Sequence, residues 1–178
     1  MKMYEHKNLN CGFVILCPDQ NINLLKSTVN SIVGRYPESP FVCVAEGDTN
    51  KEDIDEMKRI CPVFIGKSTF SSLINVGMDN ALGEWNFLVC AGAIIRPKID
   101  ERFSLFVNNK KDILYPIVDN KMDFIESSLN GFFINKETWK GIGHMGDCGP
   151  FQIVKLMWGL TAMNHGSIFK AIAGSRFC

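Results

Sequence analysis

Ser71 to Pro97, SSLINVGMDNALGEWNFLVCAGAIIRP, is the stretch that decides how the chain is read. Leu73, Ile74, Val76, Gly77, Ala81 and Leu82 put apolar or small groups at roughly helical spacing. Gly83 is expected to end that helix, as a residue that tolerates positive φ. Trp85 to Cys90 is an apolar run too short for a helix and predicts a buried strand. Ala91, Gly92 and Ala93 then stand where the chain leaves the strand's carboxyl end. In open α/β sheets ligands bind at that edge, and residues this small let a ligand approach the backbone. Function is expected there.

Upstream the same grammar repeats. Gly12 to Cys17 (GFVILC) reads as a first strand, closed by Pro18, Asp19, Gln20 and Asn21. A helix to about Tyr36 follows, with Leu24, Leu25, Val29, Ile32 and Val33 on one face. Phe41 to Ala45 is a second strand, ending at Glu46-Gly47-Asp48. Thr49 with Glu52 predicts a capping box for a polar helix to about Ile60, and Val63 to Gly66 is a third strand. Strands alternating with helices imply a mostly parallel sheet covered on both faces.

Downstream the pattern loosens. Ile99 to about Asn108 predicts a short helix; Asp112 to Val118 and Met122 to Ser127 flank Asp119-Asn120-Lys121, a hairpin signal. Gly131 to Asn135 is a further strand, and Gly141 to Pro150 (GIGHMGDCGP) a glycine-rich loop. Pro150 suits the first turn of a helix to about Asn164, with Ile153, Leu156, Met157 and Leu160 expected inward.

The 178 residues suffice for one domain with a real core. Nineteen basic and nineteen acidic side chains cancel, and nothing in that balance suggests a nucleic-acid groove or an anionic membrane partner, so no nucleic acid is expected as a partner. No apolar run approaches the roughly 20 residues of a membrane span, so no transmembrane segment is expected. The amino-terminal MKMYEHKNLN lacks the apolar core of a signal peptide. Seven scattered cysteines, without a Cys-x-x-Cys pair, point to a reducing compartment and a cytoplasmic protein.

The central stretch also resembles the family 2 glycosyltransferases of the GT-A fold, whose pattern runs Asn-x-Gly, Ala-x-Gly-Glu-aromatic, a hydrophobic strand and Asp-x-Asp. Asn75, Gly77, Ala81, Gly83, Glu84 and Trp85 fit in order. Cys17 to Asn21 resembles the family's strand-Pro-Thr-Tyr-Asn opening. Val44 to Asp48 resembles its Val-Asp-Asp-Gly-Ser turn, and Leu129 to Gly143 its later strand and Ile-Gly. The resemblance covers about residues 12 to 145. It implies a single-domain, Rossmann-like GT-A α/β fold with a small antiparallel addition. Residues 12–97 would form the nucleotide-binding half and 98–178 the acceptor-side half.

The activity implied is inverting transfer of a sugar from a nucleotide sugar, a UDP-sugar favoured, to a carbohydrate or other hydroxyl acceptor. By the resemblance Pro18 and Asp19 border the nucleoside, Glu46 faces the base or ribose, and Asn75 faces the cleft. As plain residues, Asp19 and Glu46 are equally readable as solvated turn carboxylates, and Asn75 as a partner of nearby backbone. The Asp-x-Asp that would hold Mn²⁺ or Mg²⁺ is replaced by Cys90, Ala91 and Gly92, which offer no hard oxygen side chains. The diphosphate then needs cations, with Lys67, Arg96 and Lys98 nearest in sequence, or a metal held elsewhere, or the chain is no enzyme. The family's Glu-Asp base pair is also missing. Asp147 is the closest substitute for activating the acceptor, with Asp123 and Glu126 behind it. His144 and His165 have metal or phosphate readings, and Trp139 and Trp158 sugar-platform readings, each beside a plain structural one. A dinucleotide-binding Rossmann protein is disfavoured, because no Gly-x-Gly-x-x-Gly follows the first strand.

Overall fold

The computed structural model describes residues 10–18, 21–95, 99–116, 131–147 and 149–172. Its elements are β1 (Cys11–Cys17), α1 (Ile22–Val33), β2 (Phe41–Glu46), α2 (Lys51–Ile60), β3 (Val63–Gly66), α3 (Phe70–Asp79) and β4 (Trp85–Cys90). After these come α4 (Ile99–Phe106), β5 (Asp112–Pro116), β6 (Phe132–Asn135), α5 (Lys136–Ile142), α6 (Phe151–Asn164) and β7 (Ile168–Ile172).

The strands form one seven-stranded sheet in the order β3-β2-β1-β4-β6-β5-β7. β1, β2, β3 and β4 are mutually parallel, with Ile15 opposite Cys43 and Val89. β6 alone runs against its neighbours β4 and β5, while β7 is parallel to β5. The period of two along β1 divides the molecule into two cores. Phe13, Ile15 and Cys17 face α1, α2 and α4 through Leu25, Met57 and Phe103. Val14 and Leu16 face α3, α5 and α6 through Leu73, Trp139 and Trp158. Both faces being covered explains why the central strands read as unbroken apolar runs.

Four local expectations are corrected. Helix α3 stops at Asp79, capped by Asn80, four residues before Gly83. Gly83 is needed for space: a Cβ there would run into the Gly12 amide and lie 2.6 Å from the Trp85 carbonyl. The cap of α2 is Asn50, whose side chain accepts from the Asp53 amide at 2.8 Å, so the capping signal sits one residue past Thr49. Helix α1 keeps Leu24 and Val33 exposed and buries Thr28 and Ser31, which bond the backbone of residues 92 and 95. The inward face of α6 is Val154, Lys155, Trp158, Gly159 and Ala162; Ile153, Leu156, Met157 and Leu160 point outward. The hairpin expected around residues 119–121, and Met122 to Ser127, lie outside the described residues.

Candidate functional site

The sheet order reverses at β1. From β1 the chain crosses to β2 and β3 on one side, then returns to β4 on the other. Such a switch point leaves a crevice beyond the carboxyl ends of the two strands. A hollow of about 440 Å³ lies there, lined by Cys17 and Pro18 at the end of β1, Asn21 and Leu24 at the start of α1, Phe70 of α3, and Cys90 and Ala91 at the end of β4. Both helices point their amino ends at this edge. Asn21 caps α1, its side chain accepting from the amides of Asn23 and Leu24 at 3.1 and 3.2 Å. Thr69 caps α3 and accepts from the Ser72 amide at 3.3 Å. Helix amino ends carry unsatisfied N–H groups and a partial positive charge.

Of the residues singled out by sequence, the hollow brings together Pro18, Cys90 and Ala91. Glu46 ends β2 at the same edge, one strand over, half-buried and outside the lining. Gly92 follows Ala91 but is not part of the lining. With φ of +99° it packs against Leu24, and its amide donates to Thr28 Oγ1 at 2.9 Å and the Leu24 carbonyl at 3.2 Å. Asp19, Arg96, Lys98, Asp123 and Glu126 lie outside the described residues. Phe70 and Leu24 were not foreseen; only their positions beside strand ends, visible once the topology is known, mark them.

Lys67, Asn75 and Asp147 stand outside that lining and are held along α3, from its amino end inward. Asp147 Oδ1 accepts from Thr69 Oγ1 at 2.9 Å and Ser71 Oγ at 3.1 Å, while Lys67 Nζ donates to Oδ2 at 3.1 Å. One helical turn on, the Asn75 side chain donates to the Met145 carbonyl and accepts from the Met145 amide, both at 2.9 Å. A turn further, His144 Nε2 lies 2.9 Å from Asp79 Oδ1. Ser71, Asn75 and Asp79 recur every four residues, on one stripe of the helix. Residues 144–147 are zipped along that stripe, antiparallel to α3, and Trp158 Nε1 braces the loop by donating to the Gly143 carbonyl at 2.8 Å.

This geometry revises two expectations. Asn75 is committed to backbone 70 residues away in sequence, and in this arrangement its carboxamide is not presented to a ligand. The hydrogen bond from Lys67, then those from Thr69 and Ser71, hold the Asp147 carboxyl below the usual carboxylate range. A carboxylate with both oxygens engaged and a depressed pKa is a weak proton acceptor. Asp147 acts here as a clasp. The two tryptophans are core: Trp139 and Trp158 are buried, their rings 5.3 Å apart.

The end of β4 and the two positions after it present a thiol, a methyl group and a glycine, none of them a hard oxygen ligand. Among the described residues no three His, Cys, Asp or Glu side chains come together to hold an ion.

No protein-family model matches the chain, and no curated protein matches its sequence. Solved structures do match. TarS of S. aureus (residues 1 to 349) superposes with a TM-score of 0.63 at 12% identity, over 93% of this chain and 59% of that one. Glucosyl-3-phosphoglycerate synthase of M. tuberculosis superposes with a TM-score of 0.61 at 8% identity, over 93% of this chain and 70% of that one. The fold is GT-A-like. The chain thus spans less than two thirds of the TarS structure. Among the described residues no helix is long and apolar enough to cross a membrane.

Proposed function

We propose that this chain transfers a sugar from a nucleotide sugar, a UDP-sugar favoured, to a hydroxyl acceptor, with inversion. The observation that carries the reading is the hollow at the β1/β4 switch point of a GT-A-like sheet. One of the similar structures is, by its name, a synthase of a glucosylated product, which supports glycosyl transfer as the reaction class. The nucleoside would lie against Pro18 and Ala91, with Asp19 and Glu46 as the polar wall. Without an Asp-x-Asp, the amino end of α1, helped by Arg96, would face the diphosphate; Lys67 would join it only by leaving the Asp147 carboxylate it bonds at 3.1 Å. Of the five described cysteines four are buried, and thiols packed as small hydrophobes suit a reducing cytoplasmic setting.

Isothermal titration of UDP, GDP and their sugars, with and without Mn²⁺, tests this. Binding by a UDP-sugar, abolished when Ala91→Trp fills the hollow, is the expected result. No heat from any nucleotide or nucleotide sugar ends the proposal. A second reading, a nucleotide- or protein-binding domain without catalysis, is favoured by Cys90, Ala91 and Gly92 standing where carboxylates would hold a metal and by the engaged Asp147. Nucleotide-sugar hydrolysis that Ala91→Trp removes decides against it; binding with neither hydrolysis nor transfer decides for it.

A further inference from the structure

Helix α6 presents its apolar stripe to solvent. Ile153 is 57% exposed, Leu156 43%, Met157 60%, Leu160 47% and Met163 58%. All eight exposed positions of the helix (Gln152, Ile153, Leu156, Met157, Leu160, Thr161, Met163 and Asn164) are uncharged. Its one charged side chain, Lys155, is buried, with Nζ 5.7 Å from the Phe151 ring. Helix α2 shows the ordinary alternative: its exposed positions are Lys51, Glu52, Asp55, Lys58 and Arg59.

We infer that the outer face of α6 is a homodimer interface, two copies packing α6 antiparallel on α6 about a two-fold axis. The spacing of Ile153, Leu156, Leu160 and Met163 is three, four, three, the seam of a helix that packs on another helix. A two-fold contact sets a patch against itself, so any charge near the axis would meet its like. This seam carries none. It also reads almost the same in both directions. With the axis between residues 156 and 160, Leu156 meets Leu160 of the second copy, and Ile153 meets Met163. Five half-exposed large side chains amount to on the order of 400 Å², the scale of the largest patch a monomer usually shows. Two copies with their Gln152, Thr161 and Asn164 rims hide roughly 1,000 Å², the lower limit of a specific interface, so the dimer is weak. A membrane surface fits less well, because interfacial helices carry Lys or Arg beside the apolar face.

Sedimentation velocity on the whole chain from about 5 to 500 μM tests this. Wild type is expected to shift from monomer to dimer, and Leu156→Glu and Leu160→Lys each to stay monomeric with unchanged thermal unfolding. Mixing those two variants restores a heterodimer, because the axis sets the two charges face to face; mixing Leu156→Glu with Met163→Lys does not. A wild type monomeric throughout, or a Leu156→Glu chain that still dimerises, overturns the inference. So does a monomer that instead binds neutral phosphatidylcholine vesicles through this face.

Discussion

Replacing Asn75 by alanine separates the clasp from a ligand-facing role. The substitution removes two 2.9 Å hydrogen bonds and leaves both polar groups of the Met145 backbone unpaired, on a residue that is itself buried. A buried backbone group without a partner costs about 1–3 kcal/mol. Asn75 is only half-buried, so water reaches part of the gap, and the lower half of that range applies to each group. The expected loss is roughly 2–4 kcal/mol, read as a lower urea midpoint with an unchanged slope. Asn75→Asp keeps the acceptor for the Met145 amide but sets a carboxylate against the Met145 carbonyl. It should fall near the alanine variant. Nucleotide-sugar affinity is expected to hold in both variants wherever they remain folded. An alanine variant within about 0.5 kcal/mol of wild type, with ligand binding lost, would refute the clasp and return Asn75 to the cleft.

The other expectations concern stability and reactivity. Gly83→Ala sets a methyl group between two backbone segments that cannot yield, and should cost about 3 kcal/mol or prevent folding, as circular dichroism melts will show. Asp147 has a depressed pKa, so its clasp adds stability above the ordinary carboxylate range and loses it as pH falls through the lower folded value. The melting-temperature gap between wild type and Asp147→Asn should therefore be widest near neutral pH and narrow as pH falls below the ordinary carboxylate range; a gap that widens in acid contradicts the assignment. Asp112 is fully buried, with Oδ2 accepting from the amides of Asn108 and Asn109 and, at 2.8 Å, from Lys170 Nζ. Lys170→Met strands that charge and should lower the unfolding free energy by about 2–4 kcal/mol. Hydrogen bonding to the Cys17 and Cys61 thiols, together with burial, pushes the Cys43 thiol far up. Among the described cysteines Cys90, half-buried at the hollow, should be alkylated first and Cys43 last in native protein, as peptide mass mapping would show.

The strands were the legible part of this molecule. Runs such as GFVILC and WNFLVC are apolar on both faces because both are covered, and their lengths excluded helices. The helix faces were harder. α6 is apolar on two sides, and periodicity alone could not decide whether the stripe at Ile153 or the one at Val154 and Trp158 meets the sheet; the bulk of Trp158 decided it in the fold. Gly83 was read as a conformational need when it is a spatial one, since its obstacle, Gly12, is 71 positions away. The site was legible only as far as the sheet edge. Asn75 and Asp147 looked like groups awaiting a substrate because their partners sit 70 and 76 to 80 positions away in the chain.

The reversed direction of β6 has a consequence for chain length. It delivers the polypeptide to the far rim of the sheet, beside Glu84, where Lys136 begins α5. To arrive back at the rim holding the hollow, the backbone must travel the full height of α3. An extended residue advances about 3.3 Å and a helical one 1.5 Å, so the two steps from Met145 to Asp147 match the four from Asn75 to Ser71. Gly146 therefore sets the length of the last span: delete it, and the carboxylate stops short of Thr69 while the His144 and Met145 anchors still fit.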